Sequence, residues 1–135
     1  MDTGPLFALL FTRDGKHRAA VALLERLEAA DAEVTLAYPA ALEAHRLMLV
    51  HPQISTGRAH ELIEDALEVF SVMLPTHEDV DAAREDLRRY DDQKISLTDA
   101  TIAAMSRREK MVVATFDEKQ RHFELMGASV YGSSD

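Results

Sequence analysis

The sequence predicts an α/β fold: an α/β sandwich built on a mostly parallel sheet. Two observations carry this. Segments with helical apolar periodicity alternate with short, continuous apolar runs, the pattern of parallel strands covered on both faces by helices. The chain has 135 residues, 47% hydrophobic and 29% charged, with no internal repeat, low-complexity stretch or Gly/Ser linker. One domain over residues 1–132 is expected, with a polar tail at 133–135 expected to be disordered.

The elements follow in order. "MDTGPLFALLF" has a polar start, a proline suited to a first helical turn, and a short apolar helix. "GKHRAAVALLERLEAAD" is a second helix, with an apolar stripe through Val21, Leu24 and Leu27. "EVTLAY" is a buried strand, and "PAALEAHRLMLV" a helix opened by Pro39. "STGRAHELIEDALEVF" is a helix with a Ser/Thr cap, followed by the strand "SVMLP". "THEDVDAAREDLRRY" is a helix with Thr76 as its cap and an acidic first turn. "SLTDATIAAM" opens the next helix, then come the strand "MVVAT", a helix "EKQRHFELMG" closed by Gly127, and a last strand "SVYG".

Composition narrows the function. With no cysteine, a disulfide framework and a thiolate zinc site are both excluded. The apolar run "PLFALLF" is far shorter than the roughly 20 residues of a membrane-spanning helix, so a cytoplasmic protein without a membrane partner is expected. A net charge of −9 argues against nucleic-acid binding through a broad positive field. It leaves room for an enzyme whose clustered carboxylates are neutralised by divalent cations while local basic loops hold phosphates.

Four acids draw attention, each with an ordinary alternative. Asp99 completes a capping box with Ser96 in form, yet points to the apolar side of its helix, between Ile102 and Ala103. Asp117 follows the strand "MVVAT" at a helix start, where Asp is a common cap and where α/β folds bind ligands. Asp2 stands before the first helix, beside Thr3 and Gly4, which would let the backbone approach closely, and is equally a cap in form. Glu43 lies mid-helix on an arc shared with Leu47 and Val50; if that arc faces the core, Glu43 needs a basic partner or a cation. Together the four suit Mg²⁺ or Mn²⁺, which prefer oxygen ligands, and no histidine pair or HExxH motif competes. His17 is expected to be a packed or loop-stabilising side chain.

"DTG", "ALEAHRL", "SLTDATIAAM" and "VATFDEKQRHF", in this order and spacing, closely resemble a PIN-domain ribonuclease, nearest the VapC-like toxins of toxin–antitoxin pairs. "RDGKHRAAVALLERL" resembles that group's loop and second helix, so the resemblance covers essentially the whole chain. It implies a three-layer α/β/α sandwich and a Mg²⁺- or Mn²⁺-dependent endoribonuclease whose metal-binding and catalytic acids fall on Asp2, Glu43, Asp99 and Asp117. Thr3 and Thr98 would orient the site's waters and carboxylates. RNA contacts would come from Arg13, Lys16, Arg18, Lys94, Arg107, Arg108 and Lys110. A cognate antitoxin and a homodimer are the implied partners, with Leu6, Leu9, Leu10, Val21 and Leu24 as candidate contacts. The competing expectation is a degenerate PIN-like domain without turnover that binds RNA or a protein partner. A receiver domain or a haloacid-dehalogenase phosphatase would need acidic motifs after a first strand that this sequence lacks.

Overall fold

A computed structural model describes residues 1–132, with Asp117 described by its backbone alone; the tail 133–135 lies outside the described residues. The order is α1 (Thr3–Leu10), α2 (His17–Ala29), β1 (Thr35–Ala37), α3 (Tyr38–Val50), α4 (Thr56–Val69), β2 (Ser71–Met73), α5 (His77–Arg89), α6 (Leu97–Glu109), β3 (Val112–Thr115), α7 (Asp117–Leu125) and β4 (Ser129–Gly132). Every element expected from the sequence is present. All strand pairing is parallel, as the continuous apolar runs imply, but it forms two pairs rather than one sheet: β1 with β2, and β3 with β4. The first two residues bridge the pairs. The Met1 amino group donates to Thr35 O at 2.9 Å, and Asp2 N donates to Ala114 O at 2.9 Å.

α6 is the central helix. From Asp99 to Ser106 every residue is buried, so it presents no polar face and sits inside the layers. Thr101 and Ser106 satisfy their hydroxyls locally, on Leu97 O at 2.7 Å and Ala103 O at 2.8 Å. Small residues let α3 approach it closely: Ala40 and Ala44 on α3, and Ala100 and Ala103 on α6, are fully buried in one core. The Glu43 arc is corrected here. Leu47 and Val50 are exposed, and the core face of α3 is Ala40, Ala44 and Met48, so Glu43 is half-buried beside that face. The stripe of α2 is also shifted, because Ala20 and Leu23 are buried while Val21, Leu24 and Leu27 are half-buried.

α5 is tied to α6 by ion pairs. Asp79 closes a reciprocal capping box with Thr76 (2.8 and 3.2 Å) and accepts from Arg108 Nε and Nη2, both at 2.9 Å. Arg107 donates to Met126 O and, at 3.3 Å, to Asp86. Gly127, at φ +78°, ends the turn after α7 in the left-handed region. Burial pushes the Asp79 carboxyl up, but the Arg108 and Thr76 bonds outweigh it and hold it below its ordinary 3.8. Asp79→Ala is therefore expected to lose about 2 kcal/mol in urea unfolding at neutral pH, from the lost cap and charged hydrogen bonds. A carboxyl lowered by folding stabilises fully above its unfolded value of 3.8 and loses that contribution as pH falls below it. The gap between wild type and variant should close there.

Candidate metal centre

Asp2 occupies the N-cap position of α1 by backbone only, since its side chain makes no capping bond. The carboxylate is fully buried, and Oδ2 accepts from Thr115 Oγ1 at 2.8 Å. Its Oδ1 is buried with no hydrogen-bond partner, and so is Thr3 Oγ1 next to it. Thr115, the last residue of β3, is the residue that orients Asp2. At Gly4 a Cβ would lie 3.4 Å from the Phe116 ring, an ordinary van der Waals contact.

Asp99 stands in the first turn of α6. Ser96 Oγ accepts the Asp99 N–H at 3.0 Å, as a cap should. The Asp99 carboxylate is 2% exposed and turns to Lys119, whose Nζ lies 3.3 Å from Oδ1 and 3.3 Å from Oδ2. Glu43 and Thr98 line a shallow cleft alongside, with Pro39, Leu42 and Arg46.

The electrostatics join these groups. Burial, then the Asp99 charge, push the Asp2 carboxyl above its usual range, against Lys119 and the Thr115 bond. Burial raises Asp99 as well, opposed by Lys119 and reinforced by Glu43. Lys119 is held above its ordinary value: burial lowers it, and Asp99, Asp2 and Glu43 more than restore it. Three carboxylates and one ammonium thus share one field. Among the described residues no three His, Asp or Glu side chains converge as a metal cluster. The donor set nonetheless fits a divalent cation, because Asp2 Oδ1 is buried without a hydrogen-bond partner and oxygen ligands of this kind suit Mg²⁺ or Mn²⁺.

The sequence matches the PIN domain family over residues 1–125. The chain belongs to the PIN-domain family. This PIN domain is similar in structure to Mycobacterium tuberculosis VapC20, a toxin that cleaves the sarcin-ricin loop, at 25% identity and a TM-score of 0.67, covering 82% of each chain. It shares its fold with FitAB, solved bound to a DNA fragment, at 19% identity and a TM-score of 0.72, covering 98% of this chain and 92% of that one. FitAcB from Neisseria gonorrhoeae is comparable, at 18% identity and a TM-score of 0.71, covering 98% and 95%. No curated protein matches the chain with significance. Among the described residues no helix is long and apolar enough to cross a membrane.

The PIN domain thus brings Asp2, Asp99 and Glu43 into one neighbourhood, with Thr3 and Thr98 beside them. The backbone of Asp117 opens α7 just past β3, with Phe116 as the N-cap residue; its side chain lies outside the described residues. The basic residues divide. Arg13, Arg18, Lys94 and Lys110 are exposed, and Lys16 pairs with Glu118. Arg107 and Arg108 are engaged with α5, through Asp86 and Asp79. His17 stabilises the α1–α2 connection, with Nδ1 2.7 Å from Ala8 O. Leu6 is fully buried, which removes it from the expected partner contacts; Leu9, Leu10, Val21 and Leu24 are half-buried. Sequence reasoning missed Thr115 and Lys119. The signal for Lys119 was its place in the first turn of a helix, where a cation opposes the macrodipole.

A buried carboxyl raised by folding destabilises the folded state once pH exceeds its folded value, and the penalty disappears toward the unfolded 3.8. In metal-free protein at pH 7, Asp2→Asn should therefore raise Tm by a few degrees, and the gain should vanish near pH 4. Added Mn²⁺ should raise the Tm of wild type but not of Asp2→Asn. Lys119→Met should lower the metal-free Tm and enlarge the Mn²⁺-dependent rise, because the ammonium and the ion answer the same charge deficit.

Proposed function

We propose that this PIN domain is a metal-dependent endoribonuclease and the toxin half of a toxin–antitoxin pair. The observation that carries the reading is the buried Asp2–Asp99 pair, with one carboxylate oxygen lacking any partner and Glu43 alongside. Similarity to VapC20, named as a toxin that cleaves RNA in the sarcin-ricin loop, supports the substrate class.

Asp2, Glu43 and Asp99, together with Asp117, would hold one Mg²⁺ or Mn²⁺ ion or a pair. When bound, the ion screens the phosphodiester and lowers the pKa of its water. Thr115 fixes the direction of the Asp2 carboxylate. A carboxylate of this set accepts the proton of the attacking water, so no protein nucleophile is required. Lys119, held 3.3 Å from both Asp99 oxygens, would be free to meet a substrate phosphate where an ion held that carboxylate. Arg13, Lys16, Arg18, Lys94 and Lys110 contact the RNA backbone, a role that makes binding weaken with salt. Thr3 and Thr98 orient water and carboxylates. Products carry a 5′-phosphate and a 3′-hydroxyl. The antitoxin and a second copy dock on exposed apolar side chains such as Leu42, Leu47 and Val50 of α3. A monomer in sedimentation of the isolated chain would remove the homodimer.

A second reading has its own support. Lys119 already neutralises Asp99, which suits a PIN domain that binds RNA or protein without turnover. The two separate in one experiment: RNA cleavage with Mn²⁺ or Mg²⁺, comparing wild type and Asp99→Asn. The nuclease reading expects at least a 100-fold loss in the variant, about 3 kcal/mol of transition-state stabilisation. Equal rates would take Asp99 out of the site. A folded wild type without activity would establish the binding module, and a 2′,3′-cyclic phosphate product would overturn the mechanism.

A further inference from the structure

α3 and α4 pack against each other, and two histidines bridge them at the outer rim of that contact. His45 Nε2 lies 2.9 Å from His60 Nδ1, with the ring centroids 5.0 Å apart and the planes tilted by 35°. Ala44 and Ala59, their chain neighbours, are fully buried in one core, together with Met48 of α3 and Ile63 of α4. The spacing of the rings is therefore set by two packed, regular helices rather than by a loop. His60 is exposed and His45 half-buried, so solvent reaches the pair. Neither ring lines the cleft beside Glu43 and Thr98.

Two neutral imidazoles in this contact share one proton, one ring donating its N–H and the other accepting. The same two nitrogens can instead direct their lone pairs at one ion. The donating ring then carries its proton on its far nitrogen, His45 Nδ1 or His60 Nε2, and no proton is gained or lost.

The spacing selects the ion. Ligands in adjacent positions of a square or octahedral shell, about 2.0–2.1 Å from the metal, stand about 2.9 Å apart; a tetrahedral shell spreads them to about 3.3–3.4 Å. The observed 2.9 Å is the square value. Cu²⁺ and Ni²⁺ combine that geometry with a preference for imidazole, whereas Mg²⁺ and Mn²⁺ prefer oxygen. The surrounding charge agrees. Glu64, exposed, stands one turn beyond His60 on the same face of α4, and Arg58 is already paired with Glu61 at 3.2 Å. Arg46 follows His45 but is turned about 100° round α3, onto the Glu43 cleft.

We propose that His45 and His60 form a two-histidine site for a divalent ion of square or tetragonal geometry, Cu²⁺ or Ni²⁺. Among the described residues no third His, Asp or Glu converges on them, so water fills the other positions. The ion clips α3 to α4 and binds the folded chain in preference to the unfolded one, which stabilises the domain. The site is separate from the carboxylate centre and does not depend on the nuclease reading.

The test titrates Ni²⁺ by calorimetry into the untagged full chain, with excess Mg²⁺ present to occupy the carboxylates. Wild type should bind one Ni²⁺ per chain. His45→Gln and His60→Gln should each weaken that binding at least about tenfold, and each should abolish the Ni²⁺-dependent rise in Tm seen for wild type. The double substitution should add little to either single one, since a chelate is lost with its first ligand. Cu²⁺ bound to wild type should show electron-spin couplings to two imidazole nitrogens. Equal affinity in wild type and both variants would overturn the proposal. So would a loss confined to one of the two variants, which would mark a single surface histidine. A Cu²⁺ spectrum with oxygen ligands alone would overturn it without recourse to any variant.

Discussion

A carboxylate stripped of its water requires positive charge or hydrogen-bond donors, and that requirement organises this molecule around Asp2 and Asp99. α6 is buried through its middle turns, so an acid on its inward side cannot reach solvent. Asp2 is equally enclosed. Thr115 supplies one donor to Asp2 and Lys119 supplies charge to Asp99, yet Asp2 Oδ1 is left over. Asp79 shows the contrast. It is as deeply buried, but Thr76 and Arg108 meet both of its oxygens, and its carboxyl is lowered rather than raised. One buried acid is thereby fully satisfied, while Asp2 keeps an oxygen without a partner.

The fold creates this deficit by joining distant segments at the carboxyl ends of parallel strands. Asp2 comes from the chain start, Glu43 from α3, Asp99 from α6, and Thr115 and Lys119 from the β3–α7 junction. Alanine makes the approach possible, since the buried faces of α3 and α6 carry little beyond Cβ atoms where they meet. The same arrangement leaves the larger apolar side chains of α3 outside, at Leu42, Leu47 and Val50. A surface of that kind suits a protein partner, which agrees with the paired system proposed for the domain.

Much of the architecture was legible because its signals are local. Ser55, Thr76 and Ser96 cap the helices they precede, and Gly127 ends the one expected. The burial of Asp99 also followed from helical periodicity. The face of α3 did not, because a helix apolar on most of its circumference has no clear inward side, and alanine gives that side away only through packing. Arg107 and Arg108 resembled free basic residues because their partners, Asp86 and Asp79, lie on another helix some 20 to 30 positions away. The role of Thr115 was not legible locally, since its partner, Asp2, is 113 residues distant.

By itself the sequence determined the α/β class and the order of the elements. These depend on capping, periodicity and spacing, which act within a few residues along the chain. Only the tertiary structure decided which acids lie in one field, that Lys119 stands among them, and that one oxygen of Asp2 lacks a donor. It also divided the sheet into two parallel pairs. Those outcomes turn on burial and on distances between segments far apart in sequence, and neither quantity exists until the chain has packed.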